Sequence, residues 1–214
     1  MNYSKVDIDL WDRKEHFLHY RNVVQCGFSL TAKIDITHLL SSLVEKQYKF
    51  YPTMIYLISK VVNSYSEFRM AIKDEELIVW DGVNPAYTIF HKETETFSAT
   101  WTEFNADLSE FMKNYSDDYE TYKDDLCFFS KPELPENHFH ISSVPWVSFD
   151  GFNLNIASFI DYFPPIFTMG KFYQNGNQTQ LPLAIQVHHA ACDGFHVGRV
   201  INNNKLQELC NDFI

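Results

Sequence analysis

The chain has 214 residues, 45% hydrophobic, 16% aromatic and 21% charged, a balance that buries a sizeable core and excludes a disordered protein. Its net charge of −11 argues against nucleic acid as a partner, because phosphate binding needs a surplus of Lys and Arg. No apolar run is long enough for a membrane span, and MNYSKVDIDLWDRKEHFLHY lacks the apolar centre of a signal peptide, so a cytoplasmic protein is expected. The dispersed cysteines Cys26, Cys127, Cys192 and Cys210 contain no C-x-x-C pair and read as reduced. The sequons at Asn2, Asn114 and Asn177 then carry no meaning.

In chain order, VVQCGFSL (23–30) is rich in strand formers. THLLSSLVEKQ (37–47) places Leu39, Leu40, Leu43 and Val44 at helical spacing, with Thr37 as its cap. PTMIYLISKVVNSY (52–65) begins with Pro in its first turn and repeats Ile55, Ile58, Val61 and Val62 along one face. Residues 76–81 and 86–104 read as strands, and 107–123 as an acidic helix with Asp107 or Ser109 near its cap. The stretch 139–188 is rich in strands, with a turn at Asn175-Gly176, and a last helix is expected after Asp193-Gly194. With no repeat, linker or strict strand–helix alternation, residues 1–214 read as one α+β domain, a mixed sheet with helices packed on it.

Sequence motifs for dinucleotide, P-loop, esterase-elbow and zincin chemistry are all missing. His16 and His19 share a helical face, and His138 and His140 stand in a strand, but no third ligand cluster lies near either pair, so no metal is expected. QVHHAACDGFHVGR (186–199) is more informative. Leu183, Ile185 and Val187 share one strand parity that His189 continues, while His188 falls with Ala184 and Gln186. A buried or half-buried histidine is held neutral, the form a general base needs, but the same placement suits a core histidine bonded to one carbonyl. Asp193 reads as a helix cap, an orienter of the imidazole, or half of an ion pair.

HHAACDG resembles the H-H-x-x-x-D-G signature of coenzyme A-dependent acyltransferases. KFYPTMIYLISKVVN, FRMAIKDEELIVWD, FHKETETFSATW, ENHFHISSVPWVSFDGFNLN and LPLAIQVHHAACDGFHVGR together look like the type A chloramphenicol acetyltransferases, over nearly the whole chain. The resemblance implies a two-layer α/β sandwich and a homotrimer with active sites between subunits. It implies transfer of acetyl from acetyl-CoA to the C3 hydroxyl of chloramphenicol in a ternary complex, without metal or prosthetic group. His189 would be the base, its ring held by its own carbonyl, Ser142 the oxyanion donor, and Asp193 a salt-bridge partner of Arg13. Tyr20, Cys26, Phe28, Phe97, Phe129, Phe152, Leu154 and Ile166 would line the acceptor pocket. Tyr51, Trp146, Thr168, Lys171 and Phe172 would face coenzyme A. Ala191, His140 and Gly170 depart from the family's usual Val, Asn and Ala. The spacing from Ile201 to Leu206 exceeds the family's by two residues, which breaks the last helix at Asn202–Asn204 or turns its end by about 200°. A related acyltransferase with another hydroxyl acceptor, or a drug-binding protein without turnover, would share these features.

Overall fold

Alternation and helical periodicity sort most of the chain correctly, and the departures come where distant partners decide. The computed structural model describes residues 2–156, 158, 160–201 and 205–213. Strand β1 (Tyr3–Lys5) leads to the short helix α1 (Lys14–Leu18), which widens into a π-helical turn at His19–Val23. The chain then passes Gln25, whose φ of 52° is left-handed, and enters β2 (Gly27–Asp35). The strand expected over 23–30 therefore starts four residues later. The π-helical turn takes up Val23, and ladder pairing begins only at Gly27.

Helix α2 (Thr37–Lys46) buries Leu39 and Leu43 as its spacing predicts, but Val44 is exposed. Thr37 is its first residue rather than its cap, and the cap position falls to Ile36, whose side chain makes no capping bond. The Asp35 carboxylate accepts from the Thr37 backbone N–H at 3.0 Å, and Thr37 Oγ1 instead accepts from the Thr179 N–H at 2.8 Å. Helix α3 (Phe50–Asn63) is buried almost all round, Thr53 and Ser59 included, which makes it the central helix of the fold.

Strands β3 (Met70–Lys73) and β4 (Glu76–Trp80) join β1 in a small sheet of order β1-β4-β3. The expected strand 86–104 is a hairpin of β5 (Asn84–His91) and β6 (Thr96–Trp101). Its charged turn Lys92–Glu95 ends with Glu95 at a φ of 54°. Asp107 caps α4 (Leu108–Tyr122), accepting from the N–H groups of Ser109 and Glu110 at 2.9 and 3.1 Å. Next come β7 (His138–Val144), β8 (Ile166–Gly170), β9 (Tyr173–Asn175) and β10 (Gln178–His188), the last two joined through Gly176 at a φ of 59°. Helices α5 (Gly194–Ile201) and α6 (Lys205–Asn211) end the chain. The break expected at Asn202–Asn204 lies outside the described residues, and Val200, Ile201 and Leu206 on its flanks are buried.

Among the described residues the main sheet has the order β2-β10-β8-β7-β5-β6, with β9 beside β10. The β7–β8 and β5–β7 pairs are parallel and the others antiparallel. Helices α2, α3, α5 and α6 lie against this sheet, giving the α+β arrangement with a mixed sheet. On this path β2 and β6 are its two ends, and they carry the groups that matter most.

Candidate active site

His189 follows the last residue of β10. Its backbone N–H donates to the Cys26 carbonyl at 3.0 Å, anchoring it beside the entry to β2. Tyr20, delivered by the π-helical turn, stacks on the imidazole at 3.8 Å between centroids and 8° between planes, and Phe28 meets it at 5.1 Å and 63°. Nδ1 lies 3.2 Å from the carbonyl oxygen of Cys192, where the resemblance implies the histidine's own carbonyl. A carbonyl only accepts, so this contact calls for a proton on Nδ1 and leaves the lone pair on Nε2. His188 is fully buried, parallel to Phe163 at 4.5 Å, with its Nδ1 accepting from the Ala190 N–H. Both rows of β10 side chains are buried, so strand parity separates two inner faces rather than an inner and an outer one.

Asp193 plays two of its three anticipated parts at once. One carboxylate oxygen accepts from Arg13 Nη1 at 2.6 Å. The other accepts from the N–H groups of Phe195 and His196 at 2.9 and 3.4 Å and so caps α5. It does not touch the His189 ring through any hydrogen bond. The network continues through residues that no local pattern singled out. Arg199 donates to Glu67 at 2.6 Å, His196 Nε2 lies 3.5 Å from the same carboxylate, and the Cys192 thiol faces the Glu67 carbonyl.

Ser142 sits in β7 with its hydroxyl 3.0 Å from that of Thr168, which is buried. The ladder pairs Ser142 with Thr168 and Thr168 with Ala184, five residues before His189. By strand geometry Ser142 and His189 of one chain are therefore separated by ~19 Å. Ser142 opens into a cleft of about 290 Å3 lined by Phe97, Phe129, Leu154 and Ile166. Tyr20, Cys26 and Phe28 stay with His189. Phe152 is hydrogen-bonded through its backbone to Ser29 and Thr31 of β2. The anticipated acceptor residues thus fall into two groups within a single chain, one beside His189 and one around the Ser142 cleft.

A second cleft of about 700 Å3 collects Tyr51, Trp146, Lys171 and Phe172, four of the five residues matched to coenzyme A. Thr88 lines both clefts, so they adjoin. Phe50 and Lys92 also line the second one. Sequence reasoning missed both, because Phe50 opens a helix and Lys92 sits in a hairpin turn, each an ordinary local role. Aromatic faces and two lysines suit a ligand with a flat ring and phosphates. Gly170 belongs to this wall. A Cβ there would fall 2.8 Å from the Phe149 ring and 3.2 Å from the Val147 carbonyl, so glycine admits the close approach of that loop. No three His, Cys, Asp or Glu side chains are grouped as metal ligands among the described residues, and His138 Nδ1 turns to the Pro135 carbonyl.

Solved structures share this architecture. One is the dihydrolipoamide acetyltransferase of Azotobacter vinelandii, 15% identical with a TM-score of 0.70 over 92% of this chain and 86% of that one. Another is a chloramphenicol acetyltransferase, 19% identical with a TM-score of 0.86 over 98% and 100%. The chain thus has an acyltransferase fold. The family model of chloramphenicol acetyltransferase matches residues 1–207. Chloramphenicol acetyltransferase 3 of Escherichia coli is 58% identical over 99% of this chain and 98% of its own, and chloramphenicol acetyltransferase 2 of the same species is 56% identical over 100% of both. The protein belongs to the chloramphenicol acetyltransferase family and is an acyltransferase.

Proposed function

We propose that this protein moves the acetyl group of acetyl-CoA to the C3 hydroxyl of chloramphenicol and so confers resistance to the drug. The observation that carries the chemistry is the His189 ring, clamped by Tyr20 and turned so that Nε2 offers its lone pair. Nε2 takes the proton of the acceptor hydroxyl as its oxygen attacks the thioester carbonyl. A placed base of this kind is worth roughly 10²–10⁴-fold. The tetrahedral oxyanion accepts a hydrogen bond from Ser142, a donor worth roughly 10²–10³-fold. Collapse releases the ester and the coenzyme A thiolate, which recovers the proton from His189. Tyr51, Trp146, Thr168, Lys171 and Phe172 serve the coenzyme A side, Thr168 by setting the Ser142 hydroxyl. Tyr20, Cys26, Phe28, Phe97, Phe129, Phe152, Leu154 and Ile166 enclose the acceptor.

The ~19 Å between Ser142 and His189 supports a site shared by two copies of the chain. His189 lies by β2 at one end of the sheet and the Ser142 cleft towards β6 at the other, the arrangement of a head-to-tail contact that closes into a ring, here a homotrimer. Phe97 and Phe129, 50% and 57% exposed beside that cleft, supply apolar surface for a neighbour to cover. One buried cluster running from Phe17 to Phe213 supports a single domain over 1–214, and four free thiols fit a reducing, cytoplasmic setting.

The first test is thiol release from acetyl-CoA with and without chloramphenicol. Drug-dependent release is expected; drug binding without release would leave a sequestering protein, and release with another alcohol alone would move the acceptor. The shared site has its own test. Mixing His189→Ala with Ser142→Ala chains at equal ratio is expected to restore roughly a quarter of wild-type activity, since each complete site takes one good half from each variant. No recovery, or a monomer by light scattering, would refute the shared site.

A further inference from the structure

The cleft that holds Ser142 is apolar on most of its lining, but one wall is not. His140 and Tyr162 both line it, their rings 6.3 Å apart and within 6° of parallel. Among the described residues neither the His140 ring nitrogens nor the Tyr162 hydroxyl has a hydrogen-bond partner. The adjacent His138 does not supply one. Its Nδ1 is committed to the Pro135 carbonyl at 2.6 Å, and it meets His140 ring to ring at 76°. Burial, with the charge of His138 as a lesser cause, holds the His140 imidazole down to about 4, and burial pushes the Tyr162 phenol up to about 12. Both groups are thus neutral near pH 7, one able to donate and accept, the other carrying its O–H.

Polar groups left unmatched inside an apolar pocket carry an energetic cost, and in ligand sites such groups fix orientation and select the ligand. The cleft's lysine does not compete for that role. Lys131 is paired with Asp118 at 2.6 Å and lies 3.9 Å over the Trp101 ring. We propose that His140 and Tyr162 are specificity-determining residues that hydrogen-bond an uncharged polar group on the body of the acceptor, separate from the hydroxyl that is acetylated. His140 and Ser142 alternate on one face of β7, two residues apart, so the recognised group sits about 7 Å along the strand from the oxyanion donor. The acceptor class is therefore a compact alcohol that carries a second, neutral hydrogen-bonding group at that reach. The inference rests on the acetyltransferase reading and deepens it.

The test is steady-state kinetics of the full-length enzyme, with chloramphenicol varied at saturating acetyl-CoA and the reverse. His140→Phe is expected to raise the KM for chloramphenicol about ten-fold, and Tyr162→Phe to raise it several-fold. The KM for acetyl-CoA stays within two-fold of wild type in both, and His140→Asn, which restores a donor and an acceptor, recovers most of the loss. An unchanged chloramphenicol KM in both phenylalanine variants, or an equal rise in the KM for acetyl-CoA, overturns the proposal. Should His140→Phe fail to fold, Tyr162→Phe decides alone, since it removes one oxygen without changing shape. A wild-type enzyme that releases no thiol with chloramphenicol defeats the parent reading. An active wild type with unaltered variants defeats only this one.

Discussion

His189→Ala is expected to bind acetyl-CoA and chloramphenicol within a few-fold of wild type, to keep its oligomeric state, and to lose roughly 10²–10⁴ of its kcat. The expectation follows from how the ring is held. Tyr20 lies flat on one side, Phe28 closes from another, and the Cys192 carbonyl claims Nδ1. Such a ring has one free nitrogen and little freedom to turn, so its removal takes away the base and little else. Tyr20 and Phe28 remain to line the vacated space, which is why binding survives. Single-turnover measurement separates the two effects, because the chemical step alone should slow. A kcat within ten-fold of wild type would remove His189 from the role of base.

For Asp193→Asn, the expected result is a fall in stability of about 2 kcal/mol, or about 5 °C in Tm, together with a fall in activity. The amide still offers an oxygen to cap α5, so the loss reports the Arg13 ion pair rather than the cap. Arg13 would be left half-buried, its side chain 17% exposed, with its partner's charge gone. Acid supplies an independent check. Burial raises the Asp193 carboxyl, but the Arg13 hydrogen bond, the neighbouring positive charges and the Phe195 N–H outweigh it and hold the group at about 2. Its folded value lies below its unfolded one of 3.8, so its contribution is complete above pH ~4 and fades as pH falls towards 2. The Tm gap between wild type and variant should therefore narrow across that window in melts run from pH 7 downward. An equal Tm at pH 7 would count against the ion-pair role.

What could be read in the sequence was mostly what neighbours in the chain decide. Helix α3 announced itself through its spacing and Pro52, and Asp107 was a visible cap because the N–H groups that donate to it lie two and three residues away. His189 stood out from His188 by alternation alone, although the structure buries His188 completely and His189 only in part. Thr37 was mistaken for a cap because its true partner, Thr179, lies across the fold on β10. The charged turn inside 86–104 carried no Gly or Pro to mark it. The Glu67, His196 and Arg199 network was invisible for the same reason as the cap, since 132 residues separate the ends of its strongest bond. The resemblance implied thirteen pocket residues as one set of surroundings, but no linear pattern reveals that a single chain holds some beside His189 and others around Ser142.

That separation has a genetic corollary. In the proposed ring each chain contributes its histidine to one site and its serine-bearing cleft to the next. A subunit damaged in both halves therefore silences two sites in a trimer of three. Co-expressed defective alleles should behave as dominant poisons of the enzyme, whereas alleles damaged in complementary halves should rescue each other.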